Sequence, residues 1–297
     1  KKKITSLDLN DYIKSLILLM KPRVMSLVIF TCAVGLLTSN SNINITDAMI
    51  GITLVALGAG AAGCLNMWYE ADLDALMTRT CLRPIPTGKI NKQQALIFGI
   101  FLTVFSVGAL NYFANTLSAT LLLFTILFYL FVYTIWLKRI TPQNIVIGGV
   151  AGSLPPVIGW TIATNSISMV SISLFLIIFL WTPSHFWALS LYKADDYKKA
   201  NIPMMPLTSG VEKTKIYIFI YSLLMLPVII LPYAINFSGL IYLIPAMMLT
   251  IYYNFICYDL YKHKKNKFVL KKAKKVFGYS ILYLFLIFVL FLIDNLI

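Results

Sequence analysis

Three side chains with metal-binding oxygens recur at every fourth position in one apolar stretch of the sequence. They are Asn66, Glu70 and Asp74. On an α-helix this spacing places all three on one face, within about 80° of each other, whereas Asp72 points elsewhere unless the helix unwinds. Amide and carboxylate oxygens suit a hard divalent cation such as Mg²⁺. The stripe therefore predicts a magnesium site, and a solvated helix end is the less favoured alternative.

A second polar cluster closes a later apolar stretch and contains His185, Tyr192 and Asp196. Their spacing of i, i+7 and i+11 again gives nearly one helical stripe, whereas Asp195 lies about 100° from Asp196. This favours Asp196 as the second functional acid. His185 falls inside the apolar stretch, and a histidine within a membrane is a functional candidate by default. A hydrogen bond between helices is an equally good explanation of His185.

Basic side chains lie between and beside these two acidic clusters. They are Arg79, Arg83, Lys89, Lys138, Arg139 and Lys193. Carboxylates and bases that face one cavity form a natural diphosphate site, because Mg²⁺ bridges carboxylate and phosphate oxygens while the bases neutralise the remaining phosphate charge. The alternative is that the bases in loops serve only to orient the protein in a membrane.

The composition indicates which elements must position these residues. Of the 297 residues, 59% are hydrophobic and only 12% are charged, which is too apolar for an ordinary soluble protein. Nine stretches approach the length of about 20 apolar residues that spans a bilayer core, and they lack the alternation of barrel strands. They cover residues 24–40, 47–69, 94–113, 117–137, 144–163, 169–191, 215–235, 239–258 and 276–293.

These stretches predict an all-α, polytopic membrane protein with nine transmembrane helices around a central cavity that opens to the cytoplasm. The linkers are too short to fold alone, so we expect a single domain over residues 1–297. Small residues should let helices approach closely, and Pro155-Pro156 should break or kink the fifth helix. The small residues concerned are Gly58, Gly60, Gly63, Gly148, Gly149 and Gly152.

The basic residues are confined to alternate linkers. The linkers after the first, third, fifth and seventh stretches carry no Lys or Arg, and all 25 bases lie in the other segments, including Lys1, Lys2, Lys3 and the run Lys262–Lys275. Cytoplasmic loops accumulate Lys and Arg, so this pattern predicts a cytoplasmic N-terminus and an external C-terminus. The net charge of +14 then reflects topology and contact with anionic membrane lipids, and it does not indicate nucleic-acid binding.

The motifs resemble those of a known family. The segment Asn66–Asp74, with the pattern N-x3-E-x3-D, resembles the first acidic motif of the UbiA-type intramembrane prenyltransferases. The segment Arg79–Pro84, followed by Gly88, resembles the loop that comes after this motif in that family. Nine helices, with acidic motifs closing the second and the sixth, are also that family's plan. The resemblance therefore spans nearly the whole chain.

Other segments resemble more specifically the branch of the family that farnesylates haem. They are Lys21–Val24, Tyr69–Thr80, Lys138–Asn144, Ile147–Gly152, Pro155–Trp160 and Trp181–Ser190 with Asp196-Tyr197. Most members of the wider family carry more carboxylates in the second motif, where this chain has His185 and Tyr192. This variant is typical of the haem branch, and it leaves open how many metal ions the second motif holds.

The resemblance implies transfer of a farnesyl group from farnesyl diphosphate to a vinyl group of haem b, giving haem O, in the plasma (inner) membrane. It implies that Asn66, Glu70 and Asp74 hold one Mg²⁺ and that Asp196 contributes to a second. The implied substrate-binding residues are Arg79, Arg83, Lys138, Arg139, His185, Tyr192 and Lys193. Among these, His185 contacts either the haem or the diphosphate.

Two other functions fit part of the pattern. A prenyltransferase acting on an aromatic quinone precursor would share the metal site and differ only in the acceptor pocket. A secondary transporter would also have many spans and a proline-broken helix, but transport sites usually lie near the middle of the membrane. The acids of this chain instead cluster at the ends of predicted spans, which favours an enzyme.

Overall fold

The computed structural model describes residues 8–39 and 41–296 of the chain. Lys1, Lys2 and Lys3 of the predicted basic N-terminus lie outside the described residues, as does Asn40 at the predicted end of the first span. In the described part, every regular element is helical. Eight helices there are long and apolar enough to cross a membrane, and a bent pair gives a ninth if it counts as one span. The predicted all-α polytopic architecture is therefore confirmed.

The elements follow one another in chain order. They are α1 (Leu9–Leu19), α2 (Pro22–Leu37), α3 (Ile45–Tyr69), α4 (Ala71–Leu76), α5 (Lys92–Phe113), α6 (Thr116–Leu127), a π-helical segment (Phe128–Trp136), a 3₁₀ turn (Leu137–Arg139), α7 (Asn144–Ser153), α8 (Pro155–Thr164), α9 (Met169–Tyr192), α10 (Ala194–Lys199), α11 (Met205–Thr208), α12 (Gly210–Ala234), α13 (Leu240–Lys262) and α14 (Asn266–Leu296).

Capping residues fix the starts of the two helices that lead to the acidic clusters. Asn44 precedes α3, and its side chain accepts a hydrogen bond from the backbone N–H of Thr46. Ser168 precedes α9 and forms a reciprocal capping box with Ser171. Such caps satisfy backbone donors that a helix leaves unpaired at its first turn. Both helices then run 24 or 25 residues, which is long enough to cross a bilayer core.

The structure differs from the predicted spans at both ends of the chain. The first span is preceded by α1, and the two helices meet at an angle of 52°. Lys21 lies at this bend with φ 57°, in the left-handed region, and Pro22 begins α2 at the position that tolerates proline best. The last helix begins at Asn266 instead of residue 276. Much of the Lys-rich run Lys262–Lys275 is therefore helical, which its good helix formers permit.

The spanning helices form a closed series of neighbours. Helix α2 packs against α3, α3 against α5, α5 against α6, and the π-helical segment against α7. The series continues from α7 to α9, α12, α13 and α14, and α14 returns to α2. Helix α8 contacts α2, α3, α6 and α9, and its residues from Pro155 to Ile162 are all buried. Helix α8 therefore lies inside this ring, whereas a cavity within the ring stays a prediction.

The predicted proline break separates α7 from α8 at Leu154. Helix α8 then crosses α2 at very close range. A Cβ atom on Gly35 would lie 2.0 Å from the carbonyl oxygen of Pro156, and one on Gly159 would lie 2.0 Å from that of Cys32. Because these obstacles are backbone atoms, the crossing requires glycine at both positions.

The six glycines singled out from the sequence behave differently from one another. Added Cβ atoms on Gly58, Gly60 and Gly148 would come within 2.8, 2.7 and 2.3 Å of side chains on other elements. Those on Gly63 and Gly149 would make ordinary contacts at 3.4 Å. The prediction is wrong for Gly152, where an added Cβ has nothing within 4 Å.

Candidate active site

The first acidic cluster lies on one continuous helical face. Helix α3 ends at Tyr69 and α4 begins at Ala71, yet the backbone hydrogen bonds from Glu70 to Asn66 and from Asp74 to Glu70 keep the α-helical register, at 2.9 and 2.8 Å. The three side chains are consequently buried together, with exposed fractions of 2%, 2% and 3%. Asp72 is exposed, as the helical geometry predicts.

A basic side chain binds the last carboxylate of this stripe. Arg83 Nη1 donates to both carboxylate oxygens of Asp74 at 2.8 Å. The Thr80 hydroxyl donates to the backbone carbonyl of Asp74 at 3.0 Å. The segment that follows α4 is therefore fixed to the first cluster by both a charged and a neutral hydrogen bond.

Two lysines from other elements bind the rest of the stripe. Lys138, in the 3₁₀ turn, donates to Glu70 Oε2 at 2.6 Å. Lys21, at the bend between α1 and α2, donates to Asn66 Oδ1 at 2.5 Å. Lys21 lies in a segment that resembles the haem branch, but it was not among the predicted site residues. A base followed by proline between two apolar runs was the available signal.

The π-helical segment also contributes to the site. The Thr134 hydroxyl donates to the carbonyl of Tyr129, five residues earlier, and accepts a hydrogen bond from Asn66 Nδ2 at 3.0 Å. Asn66 Nδ2 also donates to Glu70 Oε2 at 3.0 Å. π-Helical turns inside α-helices often occur at functional sites. This turn could not be predicted, because the apolar residues around it fit either helix type.

The first cluster has the donor set for a divalent cation. The Lys138 ammonium lies 2.6 Å from both carboxylate oxygens of Glu70 and donates its hydrogen bond to Oε2. The other oxygen, Oε1, is buried and has no hydrogen-bond partner. Two carboxylates here face three bases, Lys21, Arg83 and Lys138. In the described residues, no group of three or more His, Cys, Asp or Glu side chains lies close enough together to hold a metal ion. The set therefore fits a metal ion that arrives with an anionic ligand, as Mg²⁺ does with phosphates.

The second cluster contains one buried carboxylate. Asp196 lies in α10 and is buried, whereas Asp195 is exposed, which agrees with the preference for Asp196. The Thr78 hydroxyl lies 2.7 and 2.9 Å from the two carboxylate oxygens of Asp196. Thr78 belongs to the segment fixed to the first cluster, so this contact connects the two clusters. Neither Thr78 nor Thr134 was among the predicted site residues.

Other predicted residues lie at the edge of this arrangement. Arg139 pairs with exposed Asp72 at 3.2 Å, and its guanidinium lies 5.2 Å from the ring centre of Tyr69. Arg79 is exposed, and Lys193 is half-buried. The structure thus places Arg139 and Arg79 beside the buried set rather than within it.

The histidine of the second stripe lies deeper, among residues of the last helix. The His185 ring is stacked between Trp181 and Phe277, with centroid distances of 4.2 and 4.6 Å. Its Nδ1 lies 2.6 Å from the Ser280 hydroxyl. Tyr192 also contacts Phe277, edge to face at 5.8 Å. The interhelical hydrogen bond that the sequence left open is therefore present.

The contact with Ser280 bears on the form of the imidazole. The Ser280 oxygen lies 2.7 Å from the Phe277 carbonyl oxygen and 2.6 Å from His185 Nδ1. When the single Ser280 proton is directed to that carbonyl, the Ser280 oxygen accepts a hydrogen bond from His185 Nδ1–H. Nε2 of His185 then carries the lone pair, which is the form that binds a metal.

A ring of membrane helices with buried acids and bases at two helix ends defines an intramembrane enzyme that handles an anionic substrate. The chain belongs to the UbiA prenyltransferase family, whose model matches residues 27–281. It is therefore a prenyltransferase and an integral membrane protein, and the transporter alternative is wrong. The resemblance drawn from the acidic motifs is confirmed.

Similar sequences cover most of the chain. A protein from Pelagibacter ubique named protoheme IX farnesyltransferase is 76% identical over 277 residues, which cover 93% of this chain and 91% of that protein. Protoheme IX farnesyltransferase 2 from Mesorhizobium japonicum is 52% identical over 277 residues, covering 93% and 88%. The resemblance to the haem branch is therefore also confirmed.

Solved structures share the fold at lower identity. A digeranylgeranylglyceryl phosphate synthase matches with a TM-score of 0.79 and 20% identity over 96% of this chain and 98% of that one. A UbiA homologue from Archaeoglobus fulgidus, bound to DMAPP and Mg²⁺, matches with a TM-score of 0.69 and 16% identity over 93% and 99%. At these identities the likeness establishes the fold alone.

Proposed function

We propose that this protein transfers the farnesyl group of farnesyl diphosphate to a vinyl group of haem b, giving haem O and diphosphate. The main support for haem b as the acceptor is the 76% identity to a protein named protoheme IX farnesyltransferase. The buried stripe of Asn66, Glu70 and Asp74, with a base on each member, supports the choice of a diphosphate donor.

The donor diphosphate binds by an exchange of partners. Arg83 and Lys138 now hold Asp74 and Glu70, and they turn to the phosphate oxygens when the substrate enters. Glu70, Asp74 and Asn66, once Lys21 also turns away from its Oδ1, would hold Mg²⁺, and Asp196 would contribute to a second ion. The metal would supply Lewis acidity that stabilises the negative charge on the leaving group.

The bases stabilise the transition state more than the ground state. Negative charge grows on the diphosphate as its bond to the farnesyl C1 lengthens. Lys21, Lys138 and Arg83 lie beside the first cluster, so only their side chains have to turn for their charges to face the diphosphate. Arg79, Arg139 and Lys193, at the edge of the site, add positive charge along the route by which the diphosphate enters.

Aromatic rings beside the bases meet the allylic cation. Tyr129 and Tyr133 stack with centroids 5.2 Å apart, and Lys138 Nζ lies 5.7 Å from the Tyr133 ring centre. Their π faces stabilise a cation formed next to the departing diphosphate. The haem vinyl group attacks that cation, and water adds to the cation left on the acceptor and releases a proton, which gives the hydroxyl group of the product.

His185 binds the acceptor. With Nδ1–H donated to Ser280, Nε2 is the ligand for haem iron, and the position of His185 about three helical turns before Asp196 keeps it away from the diphosphate. Tyr192 continues this wall through its contact with Phe277. Haem therefore lies on the α9–α14 side of the site, whereas the diphosphate lies at the ends of α3 and α9.

The location of the site follows from the solubility of the two substrates. The farnesyl tail stays among the helices, in a cavity inside the ring, while the Mg²⁺–diphosphate head docks at the cytoplasmic rim. The chain accordingly lies in the inner membrane with its N-terminus in the cytoplasm and its C-terminus outside. Residues 1–297 act as a single prenyltransferase domain in this proposal.

The decisive experiment is product analysis with the purified protein. Haem b, farnesyl diphosphate and Mg²⁺ should yield a haem whose mass has increased by one farnesyl group and one hydroxyl group. A matched reaction with an aromatic quinone precursor should yield no product. If the quinone precursor were prenylated and haem b stayed unchanged, the proposed acceptor would be wrong, while the proposed diphosphate site would still stand.

A further inference from the structure

The second acidic cluster holds its carboxylate in an unusual way. Asp196 is buried, and its side-chain hydrogen-bond partner is a hydroxyl from a distant part of the chain, Thr78. We propose that Thr78 is a positioning residue that aims the Asp196 carboxylate at a diphosphate-bound metal ion. This inference rests on the proposed function and extends it to a residue outside both acidic motifs.

Burial makes this contact significant. A buried carboxylate needs partners, because removing it from water without hydrogen bonds is strongly unfavourable. Arg83, Lys138 and Arg139 are paired with Asp74, Glu70 and Asp72, and among the described residues no Lys or Arg forms an ion pair with Asp196. The Thr78 hydroxyl is neutral, so the negative charge of Asp196 is available to a cation.

The chemistry of a hydroxyl suits a supporting role. It has one proton and can donate to only one carboxylate oxygen at a time, although Thr78 lies within 2.9 Å of both oxygens of Asp196. One oxygen can therefore bind a metal while the other keeps its hydrogen bond. Partners of this kind orient metal-binding carboxylates and commonly change metal affinity by about 10- to 100-fold.

The segment that carries Thr78 is itself anchored. Met77 is buried, and Thr80 and Arg83 both bind Asp74. Through Thr78, the position of Asp196 is therefore set relative to the first cluster. This matters because Asp195 is exposed, so Asp196 is the one buried carboxylate of the second cluster.

The test compares three threonine variants by metal binding rather than by turnover. Thr78→Val keeps the shape and removes the donor, whereas Thr78→Ser keeps the donor. Thr87→Val is the matched control, because the Thr87 hydroxyl in the same loop donates only to the backbone carbonyls of Arg83 and Pro84. Mn²⁺ binding to the full-length purified protein with inorganic diphosphate is measured by electron paramagnetic resonance, and thermal unfolding is recorded for each variant.

We expect Thr78→Val to weaken Mn²⁺ binding about tenfold or more, while Thr78→Ser and Thr87→Val bind as the wild type does. Equal binding by Thr78→Val overturns the inference. So does a loss that Thr78→Ser shares, or a lower unfolding temperature in Thr78→Val that accounts for the weaker binding. If the wild type itself binds no Mn²⁺ with diphosphate, the metal role in the proposed function fails first, and this inference fails with it.

Discussion

The two acidic regions of the molecule differ in what holds their carboxylates. At the end of α3, the buried carboxylates of Glu70 and Asp74 are each paired with a basic side chain. In α10, the buried carboxylate of Asp196 is held by the neutral hydroxyl of Thr78. Hydrogen bonds between charged groups are roughly twice as strong as neutral ones. The first region is therefore tightly paired before any substrate arrives, and the second is not.

This difference indicates a division of work between the regions. In the first, a metal ion can bind only when the bases move to another anion, so metal and diphosphate binding are coupled. In the second, no base has to leave, and the carboxylate needs only to exchange one of its contacts. In the proposed function, the first region therefore recognises the complete Mg²⁺–diphosphate group, while the second completes its coordination.

The largest effect is expected in the first region. Asp74→Ala removes a proposed metal ligand and the partner of Arg83, and we expect kcat to fall about 1,000-fold. Asp72→Ala is the matched control, because Asp72 is exposed and pairs only with Arg139 at the surface. Such pairs contribute little, so its rate should change less than about fivefold. Steady-state haem O formation measures both, and an active Asp74→Ala protein would contradict the proposed metal site.

The second region should show the same contrast on a smaller scale. Asp196→Ala should lower kcat about 100-fold, because water can partly replace a single ligand in a metal site that is otherwise intact. Asp195→Ala, next to it but exposed, should stay within about fivefold of the wild type. The rates of both variants are measured by the same haem O assay, repeated over a range of Mg²⁺ concentrations. Equal losses in the two variants would show that burial does not identify the functional acid.

Pairing in the first region should also be visible in stability. Lys138→Met leaves Glu70 buried without its base, and we expect the free energy of unfolding to fall by about 3 kcal/mol. Arg139→Met, the neighbouring control, removes an exposed pair and should cost less than about 1 kcal/mol. Denaturant unfolding in detergent measures both.

A double variant separates charge from packing in that experiment. Adding Glu70→Gln to Lys138→Met removes the buried charge together with its partner, so much of the lost stability should return while activity does not. A double variant as unstable as Lys138→Met would show that the lysine acts through its packing.

Much of the architecture could be predicted because one physical constraint dominates it. A bilayer demands long apolar helices, and the helical spacing of Asn66, Glu70 and Asp74 is visible in the sequence. Burial of Asp196 in place of Asp195 follows from the same geometry. The orientation of the chain in the membrane stays a prediction.

The parts that could not be predicted depend on contacts between distant segments. Lys21 reaches Asn66 only because α1 and α2 bend at a residue in the left-handed conformation. Thr134 faces the site only because a π-helical turn shifts the register of its helix. Thr78 and Asp196 lie 118 positions apart, and neither residue type reveals the pairing. Helical periodicity describes one helix at a time, so it contains none of these relations.

The smallest effect is expected at Tyr192, where the wider family often has an acid. Its ring packs against Phe277 at 5.8 Å, and Lys274 Nζ lies 5.8 Å from the ring centre. Both contacts involve the ring, so Tyr192→Phe should keep kcat and the Mg²⁺ dependence within about threefold, whereas Tyr192→Ala should raise KM for haem by removing apolar contact area. A loss of tenfold or more in Tyr192→Phe, relieved by higher Mg²⁺, would instead identify the phenol oxygen as a metal ligand. The second region would then have two ligands of its own, and its dependence on Thr78 would be correspondingly weaker.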